Sequence, residues 1–116
     1  MHDMEYRVIL TDSAIADIEG IFGVVFQERP IGGYAWANAL LEALNSLGTF
    51  PNRYPLAREA QVTGRPIRCL LFGKGHGIYR SLYEVAEHPK RVWILHVRHG
   101  ARADLEPDQI ANPGWS

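Results

Sequence analysis

Arginine and histidine side chains in the second half of the chain have the chemistry to bind an anion and to exchange a proton. Arg68, Arg80 and Arg98 lie in three strand-like runs, and His99 and Arg102 follow the last run. A guanidinium offers paired donors to an oxyanion, and an imidazole exchanges protons near neutral pH. The pattern predicts a concave basic patch that contacts phosphates or carboxylates.

Strand alternation puts each basic residue on a face with apolar neighbours. The predicted groups are Arg80 with Ile78, Leu82 and Glu84, Arg68 with Leu70, and His96 and Arg98 with Val92 and Ile94. One arginine in a strand is commonly a solubility device of an edge strand, but three in neighbouring strands favour a patch. Lys74 lies in an adjacent turn. Tyr79 could stack on a base, although strand aromatics usually pack in the core.

Three other patterns suggest a ligand or a nucleophile, and each has a simpler explanation. His96 and His99, with His76 and His88 as additions, do not form a metal site, because strand residues three apart face opposite sides. The glycine-rich residues 73–77 precede a strand and lack the phosphate-loop frame, so they predict a hairpin turn. Cys69, the single cysteine, is predicted to be a small core residue. No metal and no cofactor is expected.

The elements that position the basic residues follow the order strand, helix, helix, meander. Tyr6–Leu10 predicts a strand, and Thr11–Ser13 supplies helix-capping side chains. Apolar stripes predict two helices, at Ile15, Ile18, Phe22, Val25 and Phe26 and then at Ala37, Leu40, Leu41, Leu44 and Leu47. Pro30 with Gly32–Gly33 should end the first helix, and a connection of a few residues makes an antiparallel helical hairpin.

A proline-bearing connector at residues 50–55 precedes three strand-like runs at 67–72, 78–86 and 91–98. This order predicts an α+β domain over residues 1–105, with the helices on one face of a mostly antiparallel sheet. The meander is three-stranded and antiparallel. Residues 106–116 form a polar C-terminal tail, which the sequence leaves open as either loose or ordered.

Length and composition exclude several classes of protein. The 116 residues, 47% apolar and 22% charged, have the usage of one globular domain. No run approaches the roughly 20 apolar residues of a membrane span, and the amino terminus lacks a signal-peptide layout. A single cysteine fits a reducing compartment. We expect a cytoplasmic protein without a membrane partner.

The net charge of −1 conceals a segregation along the chain. Residues 64–102 hold eight basic and two acidic side chains, a balance of +6, and the remaining residues total −7. The asymmetry predicts one basic face with an acidic or polyanionic partner, although such charges also simply solvate two sides of a small protein.

The order of elements and three segments, Ile67–Gly73, Tyr79–Val85 and Val97–Arg102, resemble the RelE/ParE superfamily of bacterial toxins. The similarity extends from Tyr6 to about Leu105. It implies the toxin of a type II toxin–antitoxin system, bound and neutralised by a cognate protein antitoxin in a hetero-oligomer. An extended or helical antitoxin tail wraps toxins of this superfamily, and we expect its acidic residues over the basic patch.

The superfamily contains two activities, which imply different roles for the same residues. RelE-like members are metal-independent ribonucleases that cut mRNA in the ribosome; ParE-like members inhibit DNA gyrase without a chemical step of their own. For a ribonuclease, the resemblance makes Arg80, His99 and Arg68 catalytic, through charge stabilisation, proton exchange and phosphate binding. The residues for nucleic-acid or target binding are then Arg98, Arg102, Lys74 and Tyr79.

Departures from the RelE pattern favour the ParE-like activity. No tyrosine follows Arg102, the lysine-rich strands of ribosome-bound members are reduced to Lys74, and the net charge is low for docking on ribosomal RNA. A third hypothesis is a non-toxic partner-binding module in which Arg80 merely pairs with a carboxylate.

Overall fold

The computed structural model describes residues 5–74 and 77–113. Its main elements in chain order are β1 (Arg7–Leu10), α1 (Asp12–Glu28), α2 (Pro30–Asn45), α3 (Glu59–Thr63), β2 (Arg68–Phe72), β3 (Tyr79–Glu87) and β4 (Lys90–His99). The predicted α+β order is confirmed, and α3 is an additional helix that the sequence analysis did not predict. Within residues 5–74 and 77–113, no helix is long and apolar enough to cross a membrane.

The four strands form one sheet in the order β1-β4-β3-β2. The strands β2, β3 and β4 pair antiparallel as the predicted meander, and β1 pairs parallel with β4. The helical hairpin between β1 and the meander is the long connection that a parallel pairing requires. Gly77 donates its N–H to the Lys74 carbonyl at 2.9 Å in the β2–β3 turn, of which residues 75 and 76, including His76, lie outside the described part.

A bulge in β4 changes which side chains share a face. Leu82 pairs with His96 and Tyr83 pairs with Ile94, so Leu95 has no partner on β3. An extra residue shifts the alternation by one, and His96 and Arg98 therefore lie on the face opposite Ile94. The prediction that they share the face of Val92 and Ile94 is wrong for this reason.

The start of α1 satisfies the backbone at this bulge. Thr11 caps α1, as predicted, by accepting the Ala14 N–H at 3.2 Å, and its hydroxyl contacts the carbonyls of Ile94 and Leu95 at 2.9 and 3.1 Å. The Asp17 carboxylate accepts the Val97 N–H at 3.1 Å. Side chains of α1 thus replace β1 along the edge of β4 beyond Ile94.

The helical hairpin turns within one residue, Arg29, instead of the few predicted. Pro30 begins α2 at its first position, where its missing N–H costs nothing, and Gly32–Gly33 lie inside α2 instead of ending α1. A Cβ at Gly33 would lie 2.9 Å from the Phe26 Cα, so glycine is what lets the two helices approach this closely.

Two cores cover the two faces of the sheet. On the helix-side face, Leu40, Leu44 and Leu47 are buried as predicted, whereas Leu41 is 42% exposed and Ile15 is 40% exposed. The Tyr83 hydroxyl in this core donates to the Pro51 carbonyl at 2.6 Å and ties down the predicted connector, and burial raises the pKa of Tyr83 to about 12.

The opposite face, here called the tail-side face, carries Ile67, Cys69, Leu82 and Leu95. The tail segment, defined as residues 103–113, covers it. Leu105, Ile110 and Ala111 are buried there, the first two only 5% exposed, so the tail is ordered against the sheet as far as residue 111. The few apolar residues of a short polar segment are enough to close a core when a sheet face lies uncovered.

Candidate functional site

A buried ion pair lies at the centre of the predicted basic patch. Alternation along β3 puts Arg80 on one face with Leu82, as predicted, and the structure shows that this is the tail-side face, where the first turn of α3 presents Glu59. Arg80 Nη2 donates to Glu59 Oε1 at 2.6 Å and Nη1 donates to Oε2 at 3.1 Å. Arg80 is 5% exposed and Glu59 is fully buried. The guanidinium is therefore already neutralised by a two-point contact inside the protein.

The pKa values of the pair reflect this geometry. Burial favours the neutral carboxyl of Glu59, but the Arg80 guanidinium and backbone N–H groups, including that of Leu105, outweigh it and lower the pKa of Glu59. The bond to Glu59 outweighs burial in Arg80 as well and raises the pKa of the guanidinium. Both groups stay charged at neutral pH.

Asp104 and Arg58 extend the pair into a network of four charges that alternate in sign. Arg58 binds the Asp104 carboxylate with three contacts of 2.8 to 3.0 Å, and Asp104 Oδ1 lies 3.6 Å from Arg80 Nη1. The Arg58 contact lowers the pKa of Asp104. The Leu105 N–H also donates to Glu59 Oε2 at 3.3 Å, so the network holds the start of the tail segment. Its formal charge is zero.

A groove of about 540 Å³ opens beside this network. Leu56 and Leu71 line it and are 56% and 63% exposed, respectively. Cys69 forms part of its wall, and burial raises the pKa of this thiol, which leaves it protonated and a poor nucleophile. The prediction of Cys69 as a core residue is confirmed by its burial.

Arg98 is the cross-strand neighbour of Arg80 on the tail-side face. Its Nη2 donates to the Ala103 carbonyl at 3.0 Å, whereas its buried Nε has no hydrogen-bond partner among the described residues. Burial, and then the charge of Arg102, lower the pKa of this guanidinium. Arg102 and Lys74 are exposed at the same end of the sheet.

Three other predicted site residues lie on the helix-side face. Arg68 Nη1 donates to the Tyr54 carbonyl at 2.6 Å. The Tyr79 ring contacts those of Trp36 and His99, each at a centroid distance of 5.3 Å. His99 Nδ1 accepts the Ala101 N–H at 3.1 Å. The Arg68 side chain is thus separated by the sheet from the Arg80–Glu59 pair, whereas His99, at the end of β4, also lines the groove beside that pair.

The comparison with known families decides the affiliation of the chain. The family model described as the ParE toxin of type II toxin-antitoxin systems, parDE, matches residues 8–104. The chain belongs to this family. The predicted superfamily is confirmed, and so is the preference for its ParE side. The protein is the toxin component of a type II system and has a cognate antitoxin as partner.

A solved structure agrees with the fold of the toxin. It is the chromosomal ParDE toxin–antitoxin system from P. aeruginosa, with a TM-score of 0.64 and 20% sequence identity, over 85% of this chain and 98% of that chain. No curated protein has a sequence that matches the toxin.

The sequence analysis missed Glu59, Asp104 and Arg58 as partners of the toxin's Arg80. One signal was present, because an arginine flanked by Ile78 and Leu82 on one strand face predicts burial, and a buried guanidinium needs a carboxylate. Nothing local identifies which of the 13 acidic residues supplies it. In the described part of the toxin, no group of three or more His, Cys, Asp or Glu side chains is arranged to bind a metal ion.

The charge segregation along the toxin is partly resolved within the fold. Arg58 and Arg80 of the network, and Arg65 with Glu84, form ion pairs of 2.6 to 2.8 Å. Of these pairs, Arg80–Glu59 joins the basic stretch to the acidic remainder, Arg65–Glu84 lies within the stretch, and Arg58–Asp104 lies outside it. The exposed basic surface is therefore smaller than the sequence balance of +6 predicts, and Arg102 and Lys74 are its most accessible members.

Proposed function

We propose that the toxin inhibits growth by binding DNA gyrase and not by cutting RNA. The observation that carries this proposal is the two-point contact of Arg80 with the fully buried Glu59. Cleavage by the ribose 2′-hydroxyl requires cations on the developing phosphorane charge and a proton acceptor within reach. A guanidinium held by an internal carboxylate is poorly placed to supply that charge stabilisation.

The positions of the other residues support the same proposal. Arg68, which a ribonuclease would use together with Arg80, lies on the opposite face of the sheet, and the His99 ring packs on Tyr79 with its Nδ1 bound to the Ala101 N–H. Inhibition by binding needs no convergence of these groups, since it requires only a complementary surface. We place the target contact at the end of the sheet that exposes Lys74 and Arg102, with Arg98 beside them. Gyrase and the antitoxin would both be met in the cytoplasm.

The direct test is a supercoiling assay with purified toxin, gyrase, ATP and relaxed plasmid. We expect the wild-type toxin to abolish supercoiling and to leave mRNA intact on translating ribosomes. In cells, thymidine incorporation should then fail before amino-acid incorporation. Ribosome-dependent cleavage of mRNA with normal supercoiling would refute the proposal.

Arg102→Ala tests the location of the surface. Loss of an arginine that anchors an interface costs about 1.4 kcal/mol or more, which is roughly tenfold in affinity. We therefore expect a tenfold higher half-inhibitory concentration. Arg29→Ala, which removes another exposed arginine at the helical hairpin, is the matched control and should inhibit as the wild type does. Equal inhibition by both variants would contradict the assigned surface.

Arg80→Ala is a poor functional test because it leaves the carboxylate of Glu59 buried without its partner. Loss of toxicity in that variant would reflect misfolding as readily as a lost contact. Arg102 is exposed, and its removal leaves the core intact.

For the antitoxin, we propose that acidic residues contact the same exposed cations, Lys74 and Arg102. Contacts between exposed charges weaken as salt screens them. The affinity of the complex should thus fall between low and moderate salt, and it should fall less steeply for Arg102→Ala. An affinity independent of salt would contradict this contact.

A further inference from the structure

His96 links three elements of the toxin through both of its ring nitrogens. It lies next to the β4 bulge and is 7% exposed. Its Nδ1 is 3.2 Å from Asp17 Oδ2 on α1, and its Nε2 accepts the Ala111 N–H of the tail segment at 3.0 Å. The imidazole is therefore the bridge between α1 and the part of the tail segment that closes the tail-side core.

The contact with Ala111 fixes the protonation state of the ring. A backbone N–H only donates, so Nε2 must carry the lone pair and the single ring proton must be on Nδ1, facing Asp17. If the ring takes up a second proton, that proton must bind to Nε2. Two donors would then face each other at the His96–Ala111 contact, and this hydrogen bond would be lost.

The other ring contact responds in the opposite direction. The Nδ1–H bond to the Asp17 carboxylate becomes a charge-assisted hydrogen bond when the ring is positive, and such bonds are stronger than neutral ones. Protonation therefore strengthens the hydrogen bond of His96 to Asp17 on α1 and breaks the hydrogen bond of His96 to Ala111 in the tail segment. We propose that His96 is a proton-operated latch, whose protonation releases the end of the tail segment from the sheet.

The charged groups around His96 are compatible with this latch. Asp17 faces it from α1, Arg98 follows on the same face of β4, and the residue opposite on β3 is the non-titrating Leu82. Arg65 donates to the Ala111 carbonyl at 2.9 Å and is itself bound to Glu84. Protonation thus removes one of two bonds to Ala111, so release starts at residues 110–113 and leaves Leu105 bound to Glu59.

Release would uncover an apolar surface of defined composition. Ile110 and Ala111 belong to the same core as Leu82 and Leu95, with Trp93 packed against it. At neutral pH the latch keeps this surface closed. At acidic pH the toxin would therefore expose an apolar surface on the face of the sheet opposite the helices. This consequence does not depend on which target the toxin binds.

Amide hydrogen exchange of the full-length toxin tests the latch. Protection factors, corrected for the intrinsic pH dependence of exchange, are compared at pH 7.5 and pH 5.0. We expect the Ile110 and Ala111 amides to lose up to about tenfold in protection at pH 5.0, the scale set by one lost buried hydrogen bond. Amides of β3 should keep theirs. Unchanged protection of the Ala111 amide would overturn the proposal.

Two variants assign the effect to His96. His96→Gln retains an oxygen that can accept the Ala111 N–H but does not titrate, so the protection of the Ala111 amide in this variant should not depend on pH. His88→Gln, which removes an exposed histidine in the β3–β4 turn, should behave as the wild type does. A pH response that persists in His96→Gln would overturn the assignment.

The wild type supplies a test that needs no variant to fold. In an NMR titration, the His96 ring and the Ala111 amide should change with one common midpoint. Separate midpoints for the ring and the amide would refute the latch.

Discussion

Glu59→Ala should destabilise the toxin strongly because it removes the carboxylate from the buried Arg80–Glu59 pair. Arg80, 5% exposed, would be left as a charge without its two-point partner, and the Leu105 N–H would lose an acceptor. Breaking a buried pair from one side costs about 3–5 kcal/mol. Asp104, 3.6 Å from Arg80 Nη1, compensates part of the charge, so we expect the lower end of this range.

The size of this effect is large for a domain of this length. Total stability of such domains is about 5–15 kcal/mol, and an unfolding entropy of about 2.1 cal/mol/K per residue turns a loss of about 3 kcal/mol into a Tm lower by roughly 12 °C. Urea denaturation followed by circular dichroism measures the free energy of unfolding, and a thermal scan measures the shift in Tm.

Two comparisons separate a buried charge from a merely lost side chain. Arg80→Met combined with Glu59→Leu buries no charge, so it should recover most of the stability lost in Glu59→Ala. Arg58→Ala breaks an ion pair in which the Arg58 side chain is 64% exposed, and it should cost less than about 1 kcal/mol. A loss below about 1 kcal/mol for Glu59→Ala, or a double variant as unstable as the single one, would refute the reasoning.

Three further outcomes follow from the structure. Gly33→Ala places a Cβ 2.9 Å from the Phe26 Cα and should lower the free energy of unfolding, measured in urea, by about 1–3 kcal/mol. Gly23→Ala, which has open space around it, should be neutral or stabilising. Equal effects of the two variants would contradict the close approach of the helices. Ile110→Ala should cost about 2–4 kcal/mol if the tail segment closes a core, and no change would show that it does not. The folded toxin lowers the pKa of Glu59 below its ordinary value of 4.5, so on acidification the unfolded chain takes up this proton first. The contribution of Glu59 to stability should therefore be constant above about pH 5 and fall as the pH drops below 4.5, and a stability profile flat between pH 4.5 and pH 3 would contradict this pKa.

Local sequence patterns were sufficient for the elements and for part of the site. The Thr11 cap, the stripe of Leu40, Leu44 and Leu47 and the alternation around Arg80 each involve residues a few positions apart, and the structure has them as predicted. The family resemblance rests on the same local segments. Such features need no knowledge of distant parts of the chain.

Other features of the site depend on residues far apart in the chain. Glu59 and Arg80 are separated by 21 positions, and no local pattern distinguishes Glu59 from the other acidic residues. The short helix α3 that presents Glu59 has only five residues, too few to leave a periodic signal. The burial of an arginine was therefore predictable, and its partner was not.

The sequence by itself determined the order of elements, the family and the grouping of Arg80 with Leu82 on one strand face, because periodicity and short motifs act over a few residues. Only the tertiary structure decided that Leu95 bulges and turns His96 and Arg98 onto the tail-side face. It also decided that the tail segment is a core element. In both cases the cause is non-local: one extra residue is accommodated by contacts from α1, and an uncovered apolar face recruits the few apolar side chains that can reach it.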